Sequence, residues 1–451
     1  MVLSRDMTTG SEAGQIIRFT LPLLAGNLLQ QFYNIADTII VGRFLGDDAL
    51  AAVGATGSIT YFFYTLCLGL ATGAGVMISQ YFGSGVGRRV RSAVANSAFV
   101  TAVFGAVISV AAVLLTEPVL RGLNTPESLL PVSVGYMRIA VGGTVLVAAY
   151  NWINAVMRSL GDSKTPLVFL GVASVMNVLL DLLFVIVFGW GANGAAAATV
   201  IAQGISAVLS IIFAFAKNPD LRLSREDMRI NKTEALRVVS MGVPIAAQNG
   251  MISLSMIAIQ RVTNGFGEVV MASYTASMRV EQFVQQPFNS LNAALSAFTG
   301  QNIGAGKSER AVKGLRVSLL ISSAFAAAVA LIFFFTSGAI VGIFVSGEGV
   351  IAMGGAALKL TALFYVPLGA IHVTRGFLNG AGDTGYALAN GLAEVICRIT
   401  LSILLTQTAL GCGGIWLTTC ITWFVTALVG ILRYLGGKWR KKAIITGNFS
   451  V

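Results

Sequence analysis

The sequence predicts an all-α polytopic membrane protein, with 12 transmembrane helices in two pseudo-twofold six-helix lobes, and three observations predict it. The first is composition: 55% of the 451 residues are hydrophobic and only 11% are charged, with a mean hydropathy of +0.80. Such a chain is too apolar to hide its side chains inside one soluble core. The second is that apolar runs of about 20 residues or more, the length that crosses a bilayer, recur along the whole chain. The third is that the chain is written twice. Pro22, Ala25 and Asn27 return at Pro244, Ala247 and Asn249, "SQYFGSGVGRRVRSAV" from Ser79 matches "GQNIGAGKSERAVKGL" from Gly300, and Gly161-Asp162 falls on Gly382-Asp383. Chance similarity between apolar helices would not hold a nearly constant offset, roughly 221 positions, over that distance.

The spans are expected near residues 15–41, 50–82, 92–115, 129–157, 165–189 and 193–216, and again near 237–262, 270–302, 314–337, 350–379, 386–407 and 413–436. Strands do not fit, because these segments are continuously apolar and lack the alternation of a membrane barrel. The organisation that follows is an N-lobe over 1–216, a cytoplasmic linker over 217–236, a C-lobe over 237–442 and a tail over 443–451. An even number of spans per half gives both halves the same orientation, so the axis relating them runs along the membrane normal. Alternate loops and both termini hold nearly all the loop Lys and Arg, including Arg88, Arg89, Arg91, Arg222, Arg225, Arg229, Lys438, Arg440, Lys441 and Lys442. The opposite loops offer Arg43, Arg121 and Arg261. Both termini are therefore expected in the cytoplasm of the cell whose plasma (inner) membrane the chain crosses many times.

The formal charge of +11 then reflects topology and anionic lipid headgroups, and a nucleic-acid partner is excluded for want of a soluble basic and aromatic surface. The stretch "KNPDLRLSREDMRINKTEALR" from Lys217 reads as the linker, either with a short amphipathic helix on the membrane surface or, the reading that is preferred, as a solvated tether. Cys67, Cys397, Cys412 and Cys420 sit in or at the ends of apolar segments without metal-type spacing and read as small packing residues. Two glycine motifs, Gly304-Ala305-Gly306-Lys307-Ser308 and Gly380-Ala381-Gly382-Asp383-Thr384-Gly385, imitate nucleotide loops. The first has Gln301 where a P-loop needs its first glycine, both lie between membrane helices, and neither is expected to bind a nucleotide. No cofactor is expected, and energy has to come from an ion gradient or a partner.

Ionisable residues in the bilayer are where chemistry is expected, since a carboxylate at the midplane costs about 2.5–3.5 kcal/mol on insertion scales. The candidates are Asp37, Asp181, Glu281 and Glu394. Asp37 ends a polar line on the first span, Asn27, Gln30 or Gln31, Asn34 and Asp37, spaced by three and four. Asn177 and Asp181 share a face of the fifth span one turn apart, and Thr199 adds a hydroxyl within the small-residue run "GANGAAAATV" of the sixth. Two carboxylates, an amide and a hydroxyl form an oxygen-rich cage for a proton or, if the ion is sodium, a metal site of Asp37, Asn177, Asp181 and Thr199. The competing account is that Asp181 only bonds across helices and Asp37 sits at the outer headgroups. The duplication argues for the cage, because Asp37 maps to Ile259, Asn177 to Arg398, Asp181 to Ser402 and Thr199 to Cys420: the scaffold was copied and this polar set was not.

The second half offers a different polar set. Glu281, Gln285, Asn289 and Asn292 line the eighth span, Asn249, Ser253 and Gln260 the seventh, and His372, Arg375 and Asn379 the tenth. With Asn27, Gln30 and Asn34 they are expected to line a substrate cleft, whereas Arg375 is read as snorkelling toward the cytoplasmic surface and Glu394 with Arg398 as a self-neutralising i,i+4 bridge.

The sequence from Leu21 to Ile59, "LPLLAGNLLQQFYNIADTIIVGRFLGDDALAAVGATGSI", the Q-x-x-G-x-G turn at Gln80, the Gly-Asp turn at Gly161 and "MNVLLDLLFV" from Met176 together resemble the multidrug and toxic compound extrusion (MATE) family, most closely its DinF-like prokaryotic type. The resemblance covers nearly the whole chain. It implies two lobes around a cleft that opens alternately to either side, and export of organic, often cationic, compounds by antiport with protons or sodium ions. It also implies an N-lobe cation site on the residues that match the family's motif, Asp37, Asn177, Asp181 and Thr199, and a conformational hinge at Pro22, with a static kink repeated at Pro244 as the alternative. One departure matters: relatives of the NorM kind carry a glutamate in the seventh helix and an aspartate in the tenth, and here those helices have no such acid. The expected partners are small organic cations or amphipathic drugs, the coupling ion and membrane lipids, with the protein a monomer. A lipid-linked precursor flippase of the related superfamily is the rival reading, and an enzyme is not expected because no nucleophile with a base can be assembled.

Overall fold

The computed structural model describes residues 4–123 and 125–444, so the end of the expected tail, 445–451, lies outside the described residues. Among those described there is no strand. Fourteen α-helices follow one another: α1 (Glu12–Leu45), α2 (Asp47–Gly83), α3 (Gly87–Gly122), α4 (Leu130–Gly142), α5 (Thr144–Ser159), α6 (Lys164–Asp181), α7 (Ala192–Lys217), α8 (Lys232–Asn264), α9 (Glu268–Gly304), α10 (Ser308–Gly342), α11 (Glu348–Ala362), α12 (Tyr365–Gly380), α13 (Gly385–Thr406) and α14 (Gly413–Leu435). They make twelve crossings, because two of the expected spans are each a bent pair, α4 with α5 at 41° and α11 with α12 at 53°. Eight helices are long and apolar enough to cross by themselves. The remaining two, α1 and α9, are 34 and 37 residues long, and their polar lines lower their hydropathy without shortening them.

The bends were not expected, and each has a local cause. Pro367 lacks the N–H that would hold the carbonyl of Leu363, where α11 gives way to α12. In the first half the break falls at Gly142-Gly143, and a side chain at Gly143 would run into Val200 of α7. The fifth span also departs from a plain helix: after Asp181 the chain widens into a π-helical turn over Leu182–Val187.

The chain divides by compactness into two units. Unit 1 holds the described residues up to Asp6 together with Leu21–Gly250, and unit 2 holds Met7–Thr20 together with the described residues from Met251 onward. Within unit 1, α2 is the central helix, with 67% of its most apolar stretch buried, and it meets the first part of α8 through small residues. A Cβ on Gly73 would lie 2.7 Å from the Met241 carbonyl carbon, and one on Gly69 would collide with Ala246. Close backbone approach of this kind is what holds helices together in lipid, where apolar side chains gain nothing by leaving the solvent. Within unit 2, α9 and α12 approach in the same way, at Gly376 against Asn292 and Gly380 against Ser296, around a core of Phe288, Phe333, Tyr365 and Trp423. The outward faces of α3 and α10 carry the lipid-facing surface, with Leu114, Leu320 and Phe335 more than two-thirds exposed.

The linker is neither of the forms expected of it. Residues 218–231 hold one 3-10 turn, Pro219–Leu221, and no α-helix, and the segment is docked on unit 1. Leu221 is fully buried, Asp227 pairs with Arg91 of α3 at 2.9 Å, and Asn96 of α3 accepts from the Asn231 backbone at 2.8 Å. Ser224 donates to Asp227 through both its backbone N–H and its hydroxyl. Those N–H and O–H groups, Ser224 first, hold the Asp227 carboxyl below the usual carboxylate range, with Arg91 adding to them.

The Gly-Asp turns are structural. Gly161 and Gly382 take φ of 85° and 84°, which only glycine adopts cheaply. Asp162 then accepts from the backbone N–H groups of Lys164 and Thr165, starting α6, whereas Asp383 takes a fork from Arg433 at 2.7 and 2.8 Å.

Candidate functional site

Unit 1 brings the four expected site residues to one place. Asp181 closes α6 where the helix opens into its π turn, a geometry that turns side chains out of the regular register. Asp181 has no exposure and Asn177, a turn earlier, has 2%. Opposite them the small residues of α7 let the two backbones approach, since a Cβ on Gly194 would sit 3.1 Å from Phe184. Thr199 is thereby within reach, and Asn177 Nδ2 donates to its hydroxyl at 3.2 Å. From α1, the half-buried Asp37 places its carboxyl within hydrogen-bonding reach of Asp181.

What distinguishes this cluster is its lack of donors. Both Asp181 carboxylate oxygens, Asp37 Oδ1 and Asn177 Oδ1 are buried with no protein hydrogen-bond partner. Buried polar atoms are normally satisfied, and two ionised carboxylates, which only accept, cannot satisfy each other. A shared proton or a small hard cation supplies what the protein does not. Beside the cluster lies a cavity lined by Gln30, Tyr33, Tyr150, Asn177, Thr199 and Gln203, and its volume is about 10 Å³, room for one water-sized guest. An organic compound does not fit there.

The other candidates on α1 divide. Gln30 lines that cavity, Asn27 is half-buried and Asn34 is exposed. Pro22 sits in α1 without interrupting it, and its ring leaves the Arg18 carbonyl without an intrahelical donor. Asn249 of α8, also in unit 1, donates to the Thr65 carbonyl at 3.4 Å. Sequence reasoning missed Gln203, Tyr136 and Tyr150 as site residues. Gln203 was within reach of it, standing one turn after Thr199 on the same face. Tyr136 packs against the cluster of Val41, Val185 and Ala195, whose two valines stand one turn beyond Asp37 and Asp181, and no spacing signalled it, because its span is broken and its face cannot be projected across the bend.

In unit 2, Glu281 is a buried residue with 3% exposure, and His372, 7% exposed, stacks on Phe288 with ring centroids 6.1 Å apart. Gln285 and Asn289 are half-buried. The Glu394–Arg398 bridge is present, with Arg398 Nε and Nη2 donating to Glu394 Oε1 at 3.2 and 3.1 Å. Arg375 does not snorkel. Its side chain is 12% exposed and faces Glu394 at 3.9 Å, and it donates to Asn390 at 3.0 Å, because a guanidinium this deep finds more in a carboxylate and an amide than it could by reaching for distant water. Unit 2 also has a larger hollow, about 550 Å³, lined by Glu268, Met271, Thr275, Arg279 and Phe344 among others, within the range of small-molecule pockets.

Comparison with known proteins matches the family described as MatE to residues 22–183 and again to 244–404, once in each half of the duplication. The chain is 30% identical over 444 residues to the probable multidrug resistance protein YpnP of Bacillus subtilis (strain 168), spanning 98% of this chain and 99% of that one. It is 23% identical to the probable multidrug resistance protein NorM of Thermotoga maritima, over 96% and 94% of the two chains. Among solved structures, a crystal structure of MATE in complex with MaL6 superposes with a TM-score of 0.89 at 22% identity, covering 97% of this chain and 99% of that one. That last likeness speaks to the fold.

Proposed function

Because this chain belongs to the MatE family, whose members are multidrug efflux transporters of the membrane, we propose that it exports organic, chiefly cationic, compounds by antiport with protons or sodium ions. The carrying observation is the donor-free carboxylate pair of unit 1, Asp37 with Asp181, beside the Asn177–Thr199 bond. With no cation, two charges are buried against each other in low dielectric, a costly state. With one bound, the pair is satisfied. A conformation in which the pair is empty and wet and one in which it is loaded and dry therefore differ in free energy, and loading shifts the population between them.

On this reading the lobes alternate in access, with Pro22 as the point where α1 bends and Asn27, Gln30, Asn34, Asn249, Glu281, Gln285, Asn289 and His372 as cleft candidates. Both termini face the cytoplasm, and the ion enters the cell down its gradient as the drug leaves. If the coupling ion is sodium, Asp37, Asn177, Asp181 and Thr199 are its ligands. In this conformation the unit 1 cavity is ion-sized. The names of the relatives, multidrug resistance proteins, favour this reading over a lipid-linked precursor flippase.

The test is efflux of a fluorescent organic cation from proteoliposomes with an imposed pH gradient in one arm and an imposed sodium gradient in the other. Transport driven by either gradient and abolished by Asp181→Asn supports the assignment. Undiminished transport by both Asp37→Asn and Asp181→Asn removes the pair from the coupling mechanism.

A further inference from the structure

One face of α9 forms the wall of the larger hollow of unit 2. Glu268, Met271, Thr275 and Arg279 follow one another along it at three- and four-residue spacing, and Phe344 and Val345, from the loop after α10, close the other side. A helix of 37 residues is about 55 Å long, which leaves roughly 13 Å beyond each side of a hydrocarbon core of about 30 Å when it is centred there. Arg279 lies about 16 Å along α9 from Glu268, inside that core.

Arg279 and Thr275 are exposed, and among the described residues neither has an ion-pair or hydrogen-bond partner. This sets Arg279 apart from the buried guanidiniums of unit 2, since Arg398 is held by Glu394 and Arg375 by Glu394 and Asn390. A charge turned to lipid at such depth is costly, so an ionisable side chain there faces a water-filled cavity and marks a functional site. The hollow supplies that cavity, with a volume of about 550 Å³. The duplication points the same way: Arg279 corresponds to Ser58 and Thr275 to Gly54, so the helix was copied while the cation and its neighbouring hydroxyl belong to one copy.

A few polar groups on a mainly apolar wall are the makings of a small-molecule site. The Arg279 guanidinium only donates, in a planar fork that matches a carboxylate. Thr275, one turn away on the same face, adds a hydroxyl, and Met271 and Phe344 offer a thioether and a ring for an apolar body to pack against. Glu268, about three turns from Arg279, repels a second acid at its own end and so limits the guest to one. We propose that this hollow binds an amphipathic organic acid, its single carboxylate on Arg279 and Thr275 and its apolar body on Met271 and Phe344. The site goes beyond the export of organic cations: it adds a ligand class of opposite charge, and its test measures binding with no gradient applied.

The probes are dansylglycine, a fluorescent apolar ring system with one carboxylate, and its methyl ester, the same body without the charge. Fluorescence anisotropy of each is followed as full-length protein is added in a detergent with an uncharged headgroup, with empty micelles as the blank. The parent is expected to bind the acid about tenfold more tightly than the ester, or better, the discrimination a charge-assisted pair provides. Arg279→Gln should weaken the acid alone and bring the two within about twofold, while Arg279→Lys, which keeps the charge and loses the fork, should retain part of the preference. Met271→Trp, which fills the hollow, should weaken both probes. Asp181→Asn should change none of this, so the result is readable whether or not unit 1 couples transport to an ion.

A parent without preference for the acid, a preference that survives Arg279→Gln, one that vanishes with Asp181→Asn, or a Met271→Trp protein that binds like the parent overturns the proposal. Arg279→Gln is expected to melt with the parent, because no described residue leans on that guanidinium; a marked drop would make Arg279 a structural residue and is equally fatal. A lipid headgroup offers the same acid on an apolar body. If phosphatidylglycerol displaces dansylglycine where an equal amount of phosphatidylcholine does not, the hollow is a lipid site and its assignment to a soluble acid falls.

Discussion

Replacing Asp37 by asparagine should make the protein more stable and a worse transporter at once. Asp181 has no exposure and neither of its oxygens has a protein donor. Asparagine at 37 keeps the shape of the side chain while removing one of the two facing charges and turning an N–H toward the other. A hydrogen bond to a charged group contributes about 1.5–3 kcal/mol. In a chain of this size 1 kcal/mol is worth on the order of 1–2 °C of melting temperature, by the scaling of unfolding entropy with length. The expected result is therefore a rise of a few degrees, measured by the melting of purified protein in detergent in a sodium-free buffer at a pH alkaline enough that no proton bridges the pair. In parallel, gradient-driven efflux of a fluorescent cation from proteoliposomes should fall by about tenfold or more, the loss expected when an ion no longer discriminates between two states by at least 1.4 kcal/mol. The two readouts must move in opposite directions. An Asp37→Asn protein that melts lower and transports normally would show that the carboxyl is a structural acceptor, and the reasoning from orphaned oxygens to ion coupling would be wrong.

Three further outcomes follow from the same geometry. Gly73→Val should push α8 away from α2, because even a Cβ there meets the Met241 carbonyl carbon at 2.7 Å; overpacking of this kind costs about 1–3 kcal/mol, read as a lower melting temperature and a lower yield of monodisperse protein. Arg433→Ala leaves the nearly inaccessible Asp383 without its fork and should destabilise by on the order of 3 kcal/mol, most of which Arg433→Ala/Asp383→Ala should restore. The Asp227 carboxyl is depressed in the folded protein, so its contribution is fully present above the unfolded value of about 3.9 and is lost as pH falls through the lower, folded one. Protease cleavage after Arg229 should accordingly stay slow from pH 7 to about pH 4, whereas Asp227→Asn should speed it already at pH 7.

The repeat, the twelve crossings and the four unit 1 residues were legible in the sequence because each leaves a mark that survives without coordinates: constant register, apolar length, and a polar set present in one copy only. What was not legible depends on breaks in register. The bend at Gly142-Gly143 conceals which way Tyr136 faces, and the π turn after Asp181 displaces everything that follows by a residue. Arg375 was misread for a related reason. Position along the sequence places it near the end of a span, but the partners that keep it inside, Glu394 and Asn390, come from a different helix. The linker was misread because its anchors, Arg91 and Asn96, lie more than 100 residues away, and composition carries no trace of a partner so distant.

The number of donor-free acids bears directly on what the transporter can accomplish. A proton moving down 100 mV and one pH unit releases about 3.7 kcal/mol, of which about 2.3 is electrical. If a monovalent organic cation leaves for each proton that enters, the electrical part cancels, and the remaining pH unit sustains only about a tenfold drug gradient. If two protons enter, one charge still moves inward and two pH units act, about 5 kcal/mol in all, enough for a gradient of several thousand-fold. Unit 1 has two carboxyls with no protein donor on three of their four oxygens, so it has the capacity for the second stoichiometry. In unit 2 the buried Glu394 is instead paired with both Arg398 and Arg375. On the proposed reading, exchangeable charge confined to one copy of a duplicated scaffold would let loading change the free energy of that half alone, whereas a symmetric pair of open sites would divide the same ions between two switches.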